Sequence, residues 1–180
     1  DISGLYRDMT KTNQELDFSD CPIKIATSAF DDCSSLTKKP KLNASNLTAA
    51  GYMFQGCSVI EDLSDYANAI PTTCVWNYAF NNANVTGIIQ YTHVGTDVFT
   101  NTNINKVVIN DTITAIPTDF NYCPELQDIE YNGTALTITD SFKANIPTYT
   151  KLIAPNCTEL QNAQLWANKL RYRYNLYTNI

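Results

Sequence analysis

Charge is what this chain has least of. Only 17% of its 180 residues are Asp, Glu, Lys or Arg. Twelve Lys and Arg stand against 18 Asp and Glu, for a net charge of −6. The basic residues are scattered, apart from Arg171 and Arg173, so the electrostatic footprint of a nucleic-acid binder is missing. There is one histidine, His93. It leaves any His-based triad a single choice, and no pair of cysteines has the short spacing of a zinc site. No apolar run is long enough to span a bilayer, so membrane insertion is not expected. No signal peptide is visible, and the chain begins at Asp1, the expectation for a processed or trimmed piece.

What is abundant is polar and uncharged. Asn and Thr number 20 and 22. With 44% hydrophobic and 11% aromatic residues the chain can still bury a core. Together these describe a folded domain with a weakly charged surface, a composition common among secreted and surface proteins.

The organising stretch is Phe120–Asn132, FNYCPELQDIEYN, which reads Phe-x-x-Cys-x-x-Leu-x-x-Ile-x-Tyr. Imperfect copies begin at Phe30, Phe54, Phe80, Phe99 and Phe142, with Ala83 and Thr102 in two of the Cys positions. The spacings of 24, 26, 19, 21 and 22 residues suit a leucine-rich-repeat turn and are too short for a helix pair. The fold expected is therefore a leucine-rich-repeat solenoid of about six irregular turns. Each turn pairs a short strand (Ile104, Val107 and Ile109, or Ile60, Leu63 and Tyr66) with a returning segment such as Ile113 and Ile116. Residues 1–20 read as an N-terminal cap, with Leu5, Met9, Leu16 and Phe18 on a short amphipathic helix and extended piece, or as the tail of a preceding repeat. Residues 21–155 are the solenoid. Residues 156–180 read as a capping helix with the stripe Leu160, Ala163, Ala167 and Leu170, followed by a terminal strand. The 26-residue interval is expected to bulge as a loop around 66–73, and the 19-residue interval to lose its returning segment.

Cys33, Cys57 and Cys123 share one position of the repeat. Equivalent residues of stacked strands lie about 4.8 Å apart with parallel side chains. A disulfide needs closer, converging Cβ atoms. Buried, reduced thiols are expected instead.

The run LTKKPKLNASNLTAAGYMFQGCSVI resembles the BspA-like, Treponema-type leucine-rich repeats. Tyr52, Met53, Phe54, Gly56 and Cys57 match that family's segment before its Cys, CVWNYAF from Cys74 to Phe80 keeps the same spacing, and KLIAPNCTELQNAQLWANKL is similar to its strand-plus-helix ending. The resemblance spans roughly residues 20–170. It implies surface-exposed bacterial proteins that bind host proteins or other cells. Similar repeats also occur in gut phage proteins and in some protists.

No constellation for chemistry stands out. His93 is expected as a solvent-facing corner residue. The pairs Asp31–Asp32 and Glu61–Asp62 read as solvated edges. Tyr66, Tyr91 and Tyr131 are expected in the wall of the core. Six Asn-x-Ser/Thr sequons, at Asn43, Asn46, Asn84, Asn110, Asn132 and Asn156, are a modest excess in an Asn- and Thr-rich chain. The outward strand positions Lys38, Asp62, Asn105, Lys106, Gln127, Asp128 and Glu130 are the candidate recognition face. The expected function is a non-enzymatic, extracellular or cell-surface adhesion module for a protein or glycan, with no cofactor. The alternative is a structural or host-attachment part of a phage virion. If the repeat register is right, Phe120→Ala costs about 3–5 kcal/mol of stability, checked by urea unfolding. An unchanged midpoint would reject the register.

Overall fold

The computed structural model describes residues 1–11, 15–93, 95–116, 118–138, 145–147, 150–157 and 176–177. Two parallel ladders run along it. The first carries the anchor rings and is built from tandem tight turns. Around Phe30, alternate N–H groups leave the turn: those of Ala26, Ser28, Phe30 and Asp32 donate to the carbonyls of Ala49, Gly51, Met53 and Gln55 of the next turn, at 2.7–2.9 Å. The N–H groups between them, at Ala29, Asp31 and Cys33, turn back onto carbonyls three residues earlier. From Ser28 to Cys33 every backbone donor is thus satisfied without a β-strand. The same scheme recurs around Phe54 and Phe80, and around Tyr6.

This path needs left-handed backbone two residues either side of the anchor. Positive φ occurs at Gly4 and Asp8, Ser28 and Asp32, Tyr52 and Gly56, Tyr78 and Asn82, Asp97 and Asn101, and Tyr122. Asp and Asn tolerate the region; a bulky side chain pays about 1–2 kcal/mol. Tyr52 and Tyr78 are held there by each other, their rings stacked at 4.9 Å and 13°.

Inside the turns the anchor rings form a stack. Tyr6, Phe30, Phe54, Phe80, Phe99 and Phe120 follow one another with centroids 5.1–6.1 Å apart and planes within 20°. The five Phe rings are fully buried. Phe142, the sixth anchor of the sequence reading, lies outside the described residues. Tyr6 takes the same position one turn earlier, which the sequence reading did not assign. The short helix expected in 1–20 does not form among the described residues, because alternate N–H groups from Ile2 to Asp8 are already committed to the next turn.

The second ladder is a parallel sheet. It comprises β1 (Thr86–Tyr91), β2 (Asn103–Ile109), β4 (Asp128–Tyr131), β6 (Lys151–Ile153) and β7 (Leu176–Tyr177), in that order. Two returning segments, β3 (Ala115–Ile116) and β5 (Thr137–Ile138), form a small sheet of their own. Ile89, Val107, Ile129 and Leu152 make one inward row, and Tyr91, Ile109 and Tyr131 another. The turn after β1 reaches Phe99 without a returning strand, as its 19-residue spacing predicts.

Strands do not form in every turn, as had been expected. Among the described residues before Thr86 only isolated bridges occur, at Asp17–Lys41, Ile25–Ala49 and Ala49–Val75. The extra residues of the long interval make no loop; they form the helix α1 (Ser64–Ala69). Tyr66 therefore lies on a helix and not at a strand end. Its hydroxyl donates to the Pro40 carbonyl and accepts the N–H of Leu42 at 3.3 Å, tying α1 to the turn before it. Asn68 of α1 covers the edge of β1: its amide donates to the Ile88 carbonyl at 3.1 Å and accepts the Gln90 N–H at 2.8 Å. At the other end the terminal strand forms as β7, parallel to β6. The capping helix proposed there lies outside the described residues.

The corners reuse one device. At Asp17, Asn43 and Asn110 one side-chain oxygen accepts both the N–H and the hydroxyl of a Ser or Thr two residues on, and at Asp62 the two carboxylate oxygens share those bonds from Ser64. Such Asx turns close a corner locally. They account for the Asn-x-Ser/Thr pattern at Asn43 and Asn110. Asn84 and Asn156 instead donate their amides to the Ile60 and Asn132 carbonyls.

Gly56 is the position where glycine is required. Its φ is +73°, and an added Cβ would lie 2.3 Å from the Asp32 carboxylate. Gly56→Ala is expected to cost about 1–3 kcal/mol. Asp32→Ser in the same chain should recover part of that loss, as read by the unfolding midpoint of the double mutant.

Candidate functional site

The outward side of the five-stranded sheet is set by strand register. Ile88, Lys106, Asp128 and Lys151 are cross-strand partners in one row. Gln90, Val108, Glu130 and Ile153 form the next. Between Gly87 and Ile88 the register slips, so that Asn105 is an extra residue of β2 facing none of β1. This is a β-bulge, and it leaves Asn105 exposed beside Lys106.

Five of the seven candidate residues meet here. Lys106 and Asp128 are paired across β2 and β4, and the Lys106 ammonium lies 2.5 Å from the Glu130 carboxylate. Gln127 donates its N–H to the Asn105 carbonyl at 2.8 Å. Lys38 and Asp62 do not join them, because their turns carry no strand. Lys38 bonds Glu61 at 2.6 Å on an exposed corner. Asp62 caps the start of α1 and accepts the Thr86 N–H at 2.9 Å. That is a structural task. The sequence reading missed Ile88, 51% exposed, and Lys151, whose outward positions depend on the bulge and on cross-strand register.

The other candidates for chemistry resolve into structure. His93 is not a solvent-facing corner residue. Its ring stacks on Trp76 at 4.0 Å and 19°, and burial holds its pKa below the ordinary value. Asp31 is likewise no solvated edge: it is buried beneath the stack end, 3.2 Å from Arg7, and burial raises its pKa. Asp32 beside it is exposed. The six cysteines are free and all but Cys21 are buried. Cys33, Cys57 and Cys123 each donate a thiol to the anchor carbonyl of the preceding turn, Tyr6, Phe30 and Phe99 respectively, at 2.7–3.1 Å. Burial pushes the Cys57 thiol up to about 12. A thiol so placed is a small hydrophobe with a donor, not a nucleophile. Thr102, in the same position, turns its hydroxyl onto the Phe99 carbonyl at 2.8 Å.

Asp119 is the one buried carboxylate that gathers several donors. It occupies the position before the anchor, where other turns carry Ala29, Met53, Ala79 and Val98. In the turns of Ala29, Met53 and Ala79 the N–H at this position bonds three residues back, as Ala29 does to Ala26. The short turn at 92–98 lacks that bond. Asp119 replaces it, accepting the N–H groups of Val98 at 3.2 Å and Gly95 at 3.3 Å and the hydroxyl of Tyr91. It is a clamp on a short turn. Among the described residues no group of three or more His, Cys, Asp or Glu is placed to hold a metal ion. No helix among them is long and apolar enough to cross a membrane.

Burial raises the Asp119 pKa above 3.8. A raised folded-state value contributes stability in full below the unfolded value, and that contribution is lost as pH rises through the folded one. Asp119→Asn keeps an acceptor for one N–H but turns an amide toward another. The substitution should cost about 1–3 kcal/mol. The gap to wild type should be widest below about pH 4 and narrow on going up, measured by urea unfolding from pH 3 to 8. A gap that widens with pH would show that the carboxylate is preferred charged.

Comparison with known proteins adds one finding. A family model described as BspA type leucine rich repeat region matches in six copies, over residues 6–93 and 69–171. No curated protein and no solved structure matches the chain.

Proposed function

The chain belongs to the BspA type leucine rich repeat family, and from that premise we propose that it is a non-enzymatic interaction module that recognises a protein or glycan through the outward sheet face. One observation carries the reading. The register brings Asn105, Lys106, Asp128, Glu130 and Lys151 onto one continuous face, with Ile88 beside them. Mixed charge, amides and a single exposed aliphatic residue give a surface that stays soluble alone yet offers many hydrogen-bonding and packing contacts. Rigid strands hold these groups in fixed relation, which lowers the entropy lost on binding.

The remaining polar groups support a non-catalytic role. His93 is packed against indole, Asp119 clamps backbone amides, and the thiols cap carbonyls. The proposed setting is the outside of a bacterial cell. The family resemblance and the weakly charged, Asn- and Thr-rich composition support it.

Two measurements test this reading. Antibody labelling of intact source cells should be positive without permeabilisation; labelling only on released virions would favour the phage component. On arrays of host extracellular-matrix proteins and glycans, the double charge reversal Lys106→Glu with Glu130→Lys should weaken the best ligand at least about tenfold while leaving the melting temperature near wild type. Equal binding by wild type and variant would remove the sheet face from consideration.

A further inference from the structure

Three tyrosines sit where this backbone least tolerates a bulky side chain. Of the eleven left-handed positions that flank the anchors from Tyr6 to Phe120, eight carry Gly, Asp, Asn or Ser, which are small or bond locally. The other three are Tyr52, Tyr78 and Tyr122. None is buried: Tyr52 is 40% and Tyr122 61% exposed, and Tyr78 is half-buried. A side chain that strains its backbone and still meets water does not owe its place to the core.

Tyr52 and Tyr78 differ from Tyr122 in forming a pair. Ser28, Tyr52 and Tyr78 donate their N–H groups to the carbonyls of Gly51, Asn77 and Thr96 in the following turns. Ser28, Tyr52, Tyr78 and Asp97 therefore stand in line, two residues before successive anchors. The two rings stack at 4.9 Å and 13°. Ser28 and Asp97, at the ends of the pair, bring no ring to cover its outer faces. An aliphatic row runs beside it. Ile25, Ala49 and Val75 are bridge partners, and Ile25 and Val75 are exposed, Val75 by 61%. No charged residue occurs in 25–28, 49–52 or 75–78. The polar side chains there are the hydroxyls of Thr27, Ser28 and the two tyrosines and the amide of Asn77.

We infer that the Tyr52–Tyr78 pair, with Ile25 and Val75 beside it, is a binding platform for an uncharged carbohydrate chain. Charge selects that occupant, since three consecutive turns offer no ionic group to a charged peptide or an acidic polymer. An aromatic face is the negative side of the ring quadrupole and takes the C–H groups of a sugar ring. The surrounding hydroxyls and amide match the sugar hydroxyls as donors and acceptors. The platform is ordered before the ligand arrives. The ladder fixes the backbone and each ring holds the other, so little side-chain freedom is lost on binding. The inference is independent of the sheet face, because neither tyrosine lies on a strand.

The test is affinity electrophoresis of the whole chain in gels cast with a neutral β-glucan, α-mannan or galactan, with hyaluronan as the charged control. At least one neutral polymer should retard the protein, and the effect should change less than about twofold between about 50 and 500 mM salt. Tyr52→Asn with Tyr78→Asn should weaken that binding at least about tenfold. The melting temperature should stay within about 3 °C of wild type, because Asn accepts the left-handed backbone that Tyr strains. Tyr52→Asn alone carries the same expectation, so misfolding of the double variant does not decide the matter. Tyr122→Asn, which relieves the same strain away from the pair, should bind as wild type does. Retardation by no neutral polymer, retardation by hyaluronan alone, or equal binding by wild type and the pair variants overturns the inference. So does a loss of binding seen only where the melting temperature falls as well, the mark of a purely structural stack. Self-association by sedimentation velocity, or capture of a matrix protein, that the pair variants abolish while no neutral polymer binds overturns it in favour of a protein occupant.

Discussion

Each turn of this molecule gives its alternate N–H groups to the next, and that direction governs the rest. It forces left-handed backbone on both sides of the anchor rings from Tyr6 to Phe99, and at Tyr122 after Phe120. It fixes the rise between turns, and so brings the anchor rings to stacking distance. It leaves the anchor carbonyl facing its own turn and the following one, where a thiol or hydroxyl can reach it. The aromatic stack and the cysteine position are therefore consequences of one backbone arrangement. Each buried Phe adds burial worth about 1.5–3 kcal/mol, so the stack accounts for much of the cohesion between turns.

The sheet depends on this ladder without being implied by it. The tandem turns run from Ile2 onward, but paired strands begin only at Thr86. Between them the same side of the molecule is built from corners, a single helix and side-chain bonds. Two kinds of surface result. The earlier turns show capped polar corners. The later turns show a flat, ordered face on which charged residues have fixed neighbours.

Much of this was legible in the residues. The Phe spacing named the turns, and the Cys positions pointed to buried thiols. What failed were readings that depend on what lies beside a residue in space. Tyr66 fits a strand pattern by spacing, yet six residues beginning at Ser64 have enough room to coil. His93 and Asp31 look solvent-facing from their polar neighbours, but Trp76 and Arg7 come to them from other turns. On the candidate face, five residues were found as polar positions in or beside β2 and β4. Ile88 and Lys151 were missed, because the bulge at Asn105 decides what faces Ile88 and the pairing of β6 with β4 decides what faces Lys151. The first turn escaped notice because its anchor is Tyr6, and a search keyed on Phe passes over it.

The amide of Asn68 gives the sheet an ending of its own. With one donor and one acceptor at the spacing of a peptide group, it occupies the hydrogen-bonding groups of β1 that another strand would use. Exposed strand edges are where sheets recruit foreign chains and begin to aggregate. Here that edge is closed by two side chains, Asn68 on the helix α1 and Asp62 just before it, which accepts the Thr86 N–H. At this edge of the sheet, contact with another molecule is therefore left to side chains, whose fit can be selected, and not to backbone, whose fit is indiscriminate.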